Sequence, residues 1–217
     1  MSLEPLGAGW ASRLSAQFEA AGLPMDSELR ARLADFLDQV VIWNRRHNLT
    51  AARDTDELVD LYLADALWLT RLGDDLGGKW LDVGSGGGAP GLTLALLRPK
   101  RVLELVEPRD KRVAFLRTVI GRSGLERVSV RRTRSDILPD QSVDVALARA
   151  TLPPPLWLAE GARLARRVVW VLLAREPAPS QEGWQLARTE RYTWPLTGFE
   201  RTLVRYERGA GEPQSSS

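Results

Sequence analysis

The sequence contains no cysteine and a single histidine, His47. That removes disulfide scaffolds, thiolate nucleophiles and cysteine-ligated zinc together, and one imidazole does not supply a histidine-rich metal centre. No metal is expected. Long apolar runs are missing too: none approaches the roughly eighteen residues a membrane helix needs. The opening residues carry no apolar core of a secretory signal, so the expectation is a cytoplasmic protein with no membrane partner. Lysine is scarce, Lys79, Lys100 and Lys111 standing against 27 arginines, while the formal net charge is only +2. Arginine pairs bidentately with phosphate and stacks on bases, which suits RNA. A GC-rich coding bias would enrich it equally, along with alanine, glycine and leucine.

What is present is an ordinary globular composition, 44% hydrophobic and 27% charged over 217 residues, enough for one α/β domain with an appendage. Apolar residues at helical spacing fill 10–23, 27–47 and 56–71, and Asn48 is placed to end the second helix in a left-handed conformation. After Gly77-Gly78 the texture changes. KWLDV, RVLELVE, RVSVRR and VDVALAR read as short strands, separated by helical stretches at 92–97, 109–122 and 156–165. That alternation predicts an α/β fold with a doubly wound, mostly parallel sheet. WQLARTERYTW and ERTLVRYER read as a closing antiparallel hairpin. The expected organisation is a helical N-terminal cap over 1–75, an α/β domain over 76–208 and a disordered tail over 209–217.

The stretch WLDVGSGGGAPG, residues 80–91, joins the first of these strands to its helix. Gly84, Gly86 and Gly88 can take positive φ and, lacking Cβ, let the backbone approach a ligand. In open α/β sheets ligands bind beyond the carboxyl ends of the strands, where this loop falls. Two cofactor classes compete for it. Gly86-x-Gly88-x-x-Gly91 satisfies the dinucleotide fingerprint. Asp82 instead completes Asp-x-Gly-x-Gly-x-Gly, the pattern of S-adenosylmethionine-dependent methyltransferases, and a carboxylate at the mouth of the loop suits a sulfonium and an ammonium but repels a pyrophosphate. Glu107, ending the second strand, is placed to accept hydrogen bonds from ribose hydroxyls in either class. Asp136 is placed to accept from an adenine amino group.

WNRRHNLTA, DALWL, LDVGSGGGAPGLTLALLRP, VLELVEPRDKRVAFLRTV, RSD, ARA and ERTLV occur in that order. Together, from about residue 36 to 204, they resemble the bacterial small-subunit rRNA guanine-N7 methyltransferases, the glucose-inhibited division protein B family. The resemblance implies a class I, Rossmann-like fold and S-adenosyl-L-methionine as cofactor. It implies 16S rRNA or the small ribosomal subunit as partner, and a monomer is expected. Residue by residue, it implies Gly84, Gly86 and Ala89 against the cofactor, Glu107 on the ribose, and Ser135 and Asp136 on the adenine side. Arg149 would lie beside both cofactor and target base as the catalytic residue, and Arg201 would bind substrate.

The chain also departs from the family pattern. Ala89 stands where the family has Phe, Tyr62 where it has His (Asp65 is kept), and Arg175 where it has a Lys on the substrate side. The family's Pro-Gly-Gly turn before its fifth strand is absent from RLARRVVW, residues 163–170. Two alternatives therefore stay open: a divergent methyltransferase acting on another RNA or a small molecule, and a cofactor-binding RNA module without catalysis. The chemistry fits N7 permissively. That nitrogen has an in-plane lone pair and no proton to remove, so no base is required. The missing cysteine closes the covalent route to cytosine C5, and no Asn/Asp-Pro-Pro-aromatic motif marks an exocyclic amine. Arg45-Arg46, Arg131-Arg132-Arg134 and Arg163-Arg166-Arg167 are candidate RNA contacts if they converge on the rim of the cleft.

Overall fold

The computed structural model describes residues 3–209. Local signals set the N-terminal helices. After α1 (Ala11–Ala21), the Asp26 side chain caps α2 (Ser27–His47) by accepting from the Leu29 backbone N–H at 2.7 Å, and Asn48 ends it at φ 45°. Leu33, Phe36, Leu37, Val40 and Val41 recur at three- and four-residue steps and are all buried, the stripe a core-facing helix needs. The next stretch departs from a continuous α-helix. It runs as α3 (Thr55–Val59), a π turn over Asp60–Ala64, and α4 (Asp65–Leu72).

The remaining elements alternate as β1 (Lys79–Val83), α5 (Gly91–Leu97), β2 (Val102–Val106), α6 (Asp110–Arg122), β3 (Val128–Arg131), β4 (Val143–Ala148), α7 (Pro154–Leu164) and β5 (Ala165–Leu173), then β6 (Trp184–Thr193) and β7 (Glu200–Arg208). The seven strands lie in the order β3-β2-β1-β4-β5-β7-β6. The first five are parallel, and β7 runs antiparallel to both β5 and β6. The sheet is thus the expected doubly wound one, with the expected hairpin inserted between β5 and the edge.

Each central strand is buried on both faces, which is why it reads as a short apolar run. One face, with Trp80, Leu103, Leu105, Leu147 and Trp170, shares a single core with α1, α2, α4, α5 and α6. The other face, with Leu81, Val106, Ala146, Val169 and Val204, packs against Trp157 and Leu158 of α7. The N-terminal helices are therefore a layer on the sheet rather than a body with its own core. Of the tail expected over 209–217, only Gly209 falls within the described residues.

The winding reverses at β1, so the crevice at its carboxyl end is the topological switch point where ligands bind. Along that edge the strand order sets out Glu107 after β2, the glycine loop after β1, Arg149 after β4, Glu176 after β5, and Arg201 at the start of the antiparallel β7.

Candidate cofactor and substrate site

The glycine loop takes the conformation its composition predicts: Gly84, Gly86 and Gly88 sit at φ 71°, 55° and 97°. The backbone N–H groups of Gly84 and Ser85 donate to the Val106 carbonyl at 2.8 and 3.1 Å, folding the loop over the end of β2. Above it opens a cavity of about 370 Å³, lined by the Gly84–Gly87 backbone with Leu49, Ala89, Glu107, Arg112 and Arg149. That volume lies within the range of small-molecule sites.

Glu107 is 2% exposed and braced from two sides. Its Oε2 accepts from the Gly86 N–H at 3.0 Å and its Oε1 from the Arg109 N–H at 2.9 Å. The Arg112 guanidinium stands 3.9 Å from Oε2. An ionised carboxylate has about four acceptor positions, so each oxygen keeps one for a hydroxyl. The backbone-lined cradle and this half-used carboxylate fit the ribose and amino-acid ends of S-adenosylmethionine.

Asp82 is placed differently from the expectation. It lies beneath the loop, not at its mouth, and is 1% exposed. A Cβ on Gly91, at the start of α5, would strike its carboxylate, so that glycine is what lets the helix close over it. One Asp82 oxygen has no hydrogen-bond partner. Burial pushes its pKa up to about 7, against the smaller opposing pulls of the Ser85 hydroxyl and the Arg149 charge.

Beyond Arg149 lies a second cavity of about 270 Å³, more apolar, with Leu61, Pro154, Tyr192, Trp194, Glu176 and Arg201 in its wall. Arg149 and Ala150 line both cavities. Buried Asp65 organises the shared wall. Its Oδ1 accepts from the Tyr192 hydroxyl at 2.6 Å and from the Trp194 indole N–H at 3.0 Å, and its Oδ2 stands 3.4 Å from Arg149. Arg149 also donates to the Leu61 carbonyl. Burial first, then the Asp65 charge, hold the Tyr192 hydroxyl well above its ordinary pKa. The Arg201 guanidinium lies 4.0 Å from the centroid of the Trp194 ring.

The structure thus brings Gly84, Gly86, Ala89, Glu107 and Arg149 to one cavity and Arg149 with Arg201 to the next. Ser135 and Asp136 line neither. They form a 3₁₀ turn after β3, where Asp136 is exposed and pairs with Arg134 at 3.3 Å. Arg175 is exposed and lines neither cavity, whereas its neighbour Glu176 does. Tyr62 is buried, with its hydroxyl against Gly87, and His47 packs on Trp43 outside both cavities.

None of the clustered arginines lines either cavity. Arg131 and Arg132 pair with Glu104 and Asp110, Arg163 pairs with Asp140 and Glu160, and Arg166 and Arg167 sit at the amino end of β5, opposite the loop. Among the described residues no helix is long and apolar enough to cross a membrane, and no group of three acidic or histidine side chains could hold a metal. Sequence reasoning missed Arg112, Tyr192, Trp194 and Glu176. Only Arg112 carried a local signal, in the first turn of the helix that follows Glu107.

Residues 29–154 match the family described as rRNA small subunit methyltransferase G (GidB). A Bordetella pertussis protein named ribosomal RNA small subunit methyltransferase G is 32% identical over 223 residues, covering 94% of this chain and 95% of its own length. The chain belongs to the rRNA small subunit methyltransferase G family. A Halorhodospira halophila protein of the same name is 41% identical over 140 residues, 64% of this chain and 66% of its own length. Among solved structures, the magnesium protoporphyrin IX methyltransferase of Synechocystis with bound S-adenosylmethionine superposes with TM-score 0.51 over 94% of this chain and 93% of its own, at 12% identity. At that identity the likeness concerns the fold. The span matched to the methyltransferase G family contains the glycine loop, Glu107 and Arg149, while Glu176, Tyr192, Trp194 and Arg201 lie beyond residue 154.

Proposed function

We propose that this methyltransferase G family member transfers a methyl group from S-adenosylmethionine to N7 of a guanine in 16S rRNA, free or in the small ribosomal subunit. The observation that carries the reading is that a glycine-lined cavity holding Glu107 and an aromatic cavity holding Trp194 and Tyr192 share one wall, at Arg149. When bound, S-adenosylmethionine supplies a methyl group on a cationic sulfur, open to in-line displacement by a lone pair.

This chain's residues then have to hold and align. Glu107 would accept from the ribose hydroxyls. Ser135 and Asp136 follow β3, one strand beyond Glu107 on the side away from Arg149, the direction in which an adenine on that ribose would extend. Asp82, beneath the loop, lends negative potential in its ionised form. Trp194 and Tyr192 offer faces for an extruded base, and Arg149 orients it at the common wall. Arg201, in the wall of the second cavity, and Arg175, next in sequence to Glu176 of that wall, are assigned to substrate, Arg175 to a phosphate of the entering strand. No general base is needed at N7, and alignment alone can supply about 7–11 kcal/mol of the barrier. The working unit is proposed to be a monomer acting in the cytoplasm, where its ribosomal substrate is found.

Arg149→Lys tests the assignment, because it keeps the charge and loses the planar fork. Methyl transfer to rRNA is expected to fall by more than tenfold, with the melting temperature nearly unchanged. Wild-type transfer by the variant would take Arg149 out of the site.

A further inference from the structure

The second cavity has two carboxylates in its wall, Asp65 and Glu176. They are in opposite states. Asp65 is committed, with Tyr192 and Trp194 on one oxygen and Arg149 beside the other. Glu176 is exposed at the end of β5, and its Oε2 accepts from the backbone N–H groups of Ala174 and Arg175, both at 3.0 Å. That brace aims the carboxylate and leaves Oε1 as an acceptor for a ligand. The backbone N–H groups of Glu176 itself, Arg175 and Ala174, helped by the Arg201 charge, hold the carboxyl below its usual range, so it is an acceptor and not a donor at neutral pH.

A guanine offers a matching edge. N1–H and the 2-amino group are adjacent donors on its Watson–Crick side, and the two lone pairs of the free Oε1 can accept one from each. N7 and O6 are acceptors on the other side. Strand order fixes which side faces where. Arg149 follows β4, next to the glycine loop on β1, whereas Glu176 follows β5, one strand further away, or roughly 4.8 Å. A base lying across the cavity with N7 toward the cofactor side therefore turns its Watson–Crick edge toward β5.

We propose that Glu176 is the specificity-determining residue of the second cavity, accepting from N1–H and the 2-amino group of the target guanine. The proposal rests on the guanine-N7 reading above. It gives the cavity a reason to reject adenine, which presents an acceptor at N1 and no 2-amino group.

The test uses small subunits reconstituted with 16S rRNA carrying either guanosine or inosine at the methylated position. Inosine keeps N7, O6 and N1–H and lacks only the 2-amino group. The wild-type protein is expected to favour guanosine by about tenfold or more in kcat/KM, as sites built around a substrate's hydrogen-bonding groups do. Glu176→Gln keeps an oxygen for the Ala174 and Arg175 brace but loses the charged acceptor. It is expected to bring the two substrates within about twofold of each other, at an unchanged melting temperature; Glu176→Ala should do the same. A variant that keeps the wild-type ratio, or a wild-type protein that methylates both substrates equally at N7, overturns the role of Glu176 alone. A wild-type protein that methylates neither overturns the N7 reading with it.

Discussion

Asp82 is a carboxylate held under the glycine loop with one oxygen unpaired, and it makes stability depend on pH in a specific direction. Its pKa is raised to about 7 by burial. The native state therefore binds this proton more tightly than the unfolded chain does. The corresponding stability is complete below the unfolded pKa near 4 and is lost as pH rises through about 7. Asp82→Asn keeps the shape and removes the titration. Urea unfolding should show the variant gaining on the wild type by on the order of 2–3 kcal/mol between pH 5 and pH 8; a constant difference across that window would mean Asp82 does not titrate there. Glu107, by contrast, is braced by two backbone N–H groups and lines the cavity. Glu107→Ala should weaken S-adenosylmethionine binding by roughly tenfold to a hundredfold in calorimetry, from lost charge-assisted bonds. Unchanged affinity in a folded variant would remove it from the site. Both acids were legible in the sequence as neighbours of the loop, one before it and one ending the next strand. What spacing did not show was depth. The pleat turns Asp82 toward α5, and only the packing of Gly91 against it reveals that.

At the scale of elements, the π turn ties the N-terminal layer to the hairpin. Asp60 and Asp65 stand five residues apart, and both reach β6 and its turn. Asp60 accepts from the backbone N–H and the hydroxyl of Thr197, each at 2.7 Å, and from the buried Gln17 amide. Asp65 holds Tyr192 and Trp194. In a regular α-helix a five-residue step turns by about 140°, and the wider π turn narrows that angle. Asp60→Ala leaves the Thr197 and Gln17 donors unsatisfied and should cost about 2–4 kcal/mol, measurable as a shift in the urea midpoint. A loss under about 0.5 kcal/mol would show that water replaces the carboxylate. Nothing in DLYLADALWL announces the π turn, because no proline or glycine interrupts the helical pattern and the hairpin that Asp60 and Asp65 contact is distant in sequence. The other helices and the strands were legible because capping residues, glycine punctuation and short β-branched runs act locally.

At the scale of the molecule, the strand order does the assembling. It sets Glu107, the glycine loop, Arg149, Glu176 and Arg201 in sequence along one edge of the sheet. The cofactor half of the site was legible because one continuous segment builds it. The second cavity was not, since Leu61, Tyr192 and Trp194 meet only when the hairpin docks against the N-terminal layer. The central claim is that the two halves together methylate guanine N7. The most direct measurement incubates the purified protein and S-adenosylmethionine with small subunits, or their 16S rRNA, from a strain lacking this gene. Reduction with borohydride and cleavage with aniline then map N7-methylguanosine along the rRNA. A single new cleavage site in 16S rRNA is expected, lost with Arg149→Lys. Methyl transfer without any such cleavage, or no transfer to either substrate, would contradict it.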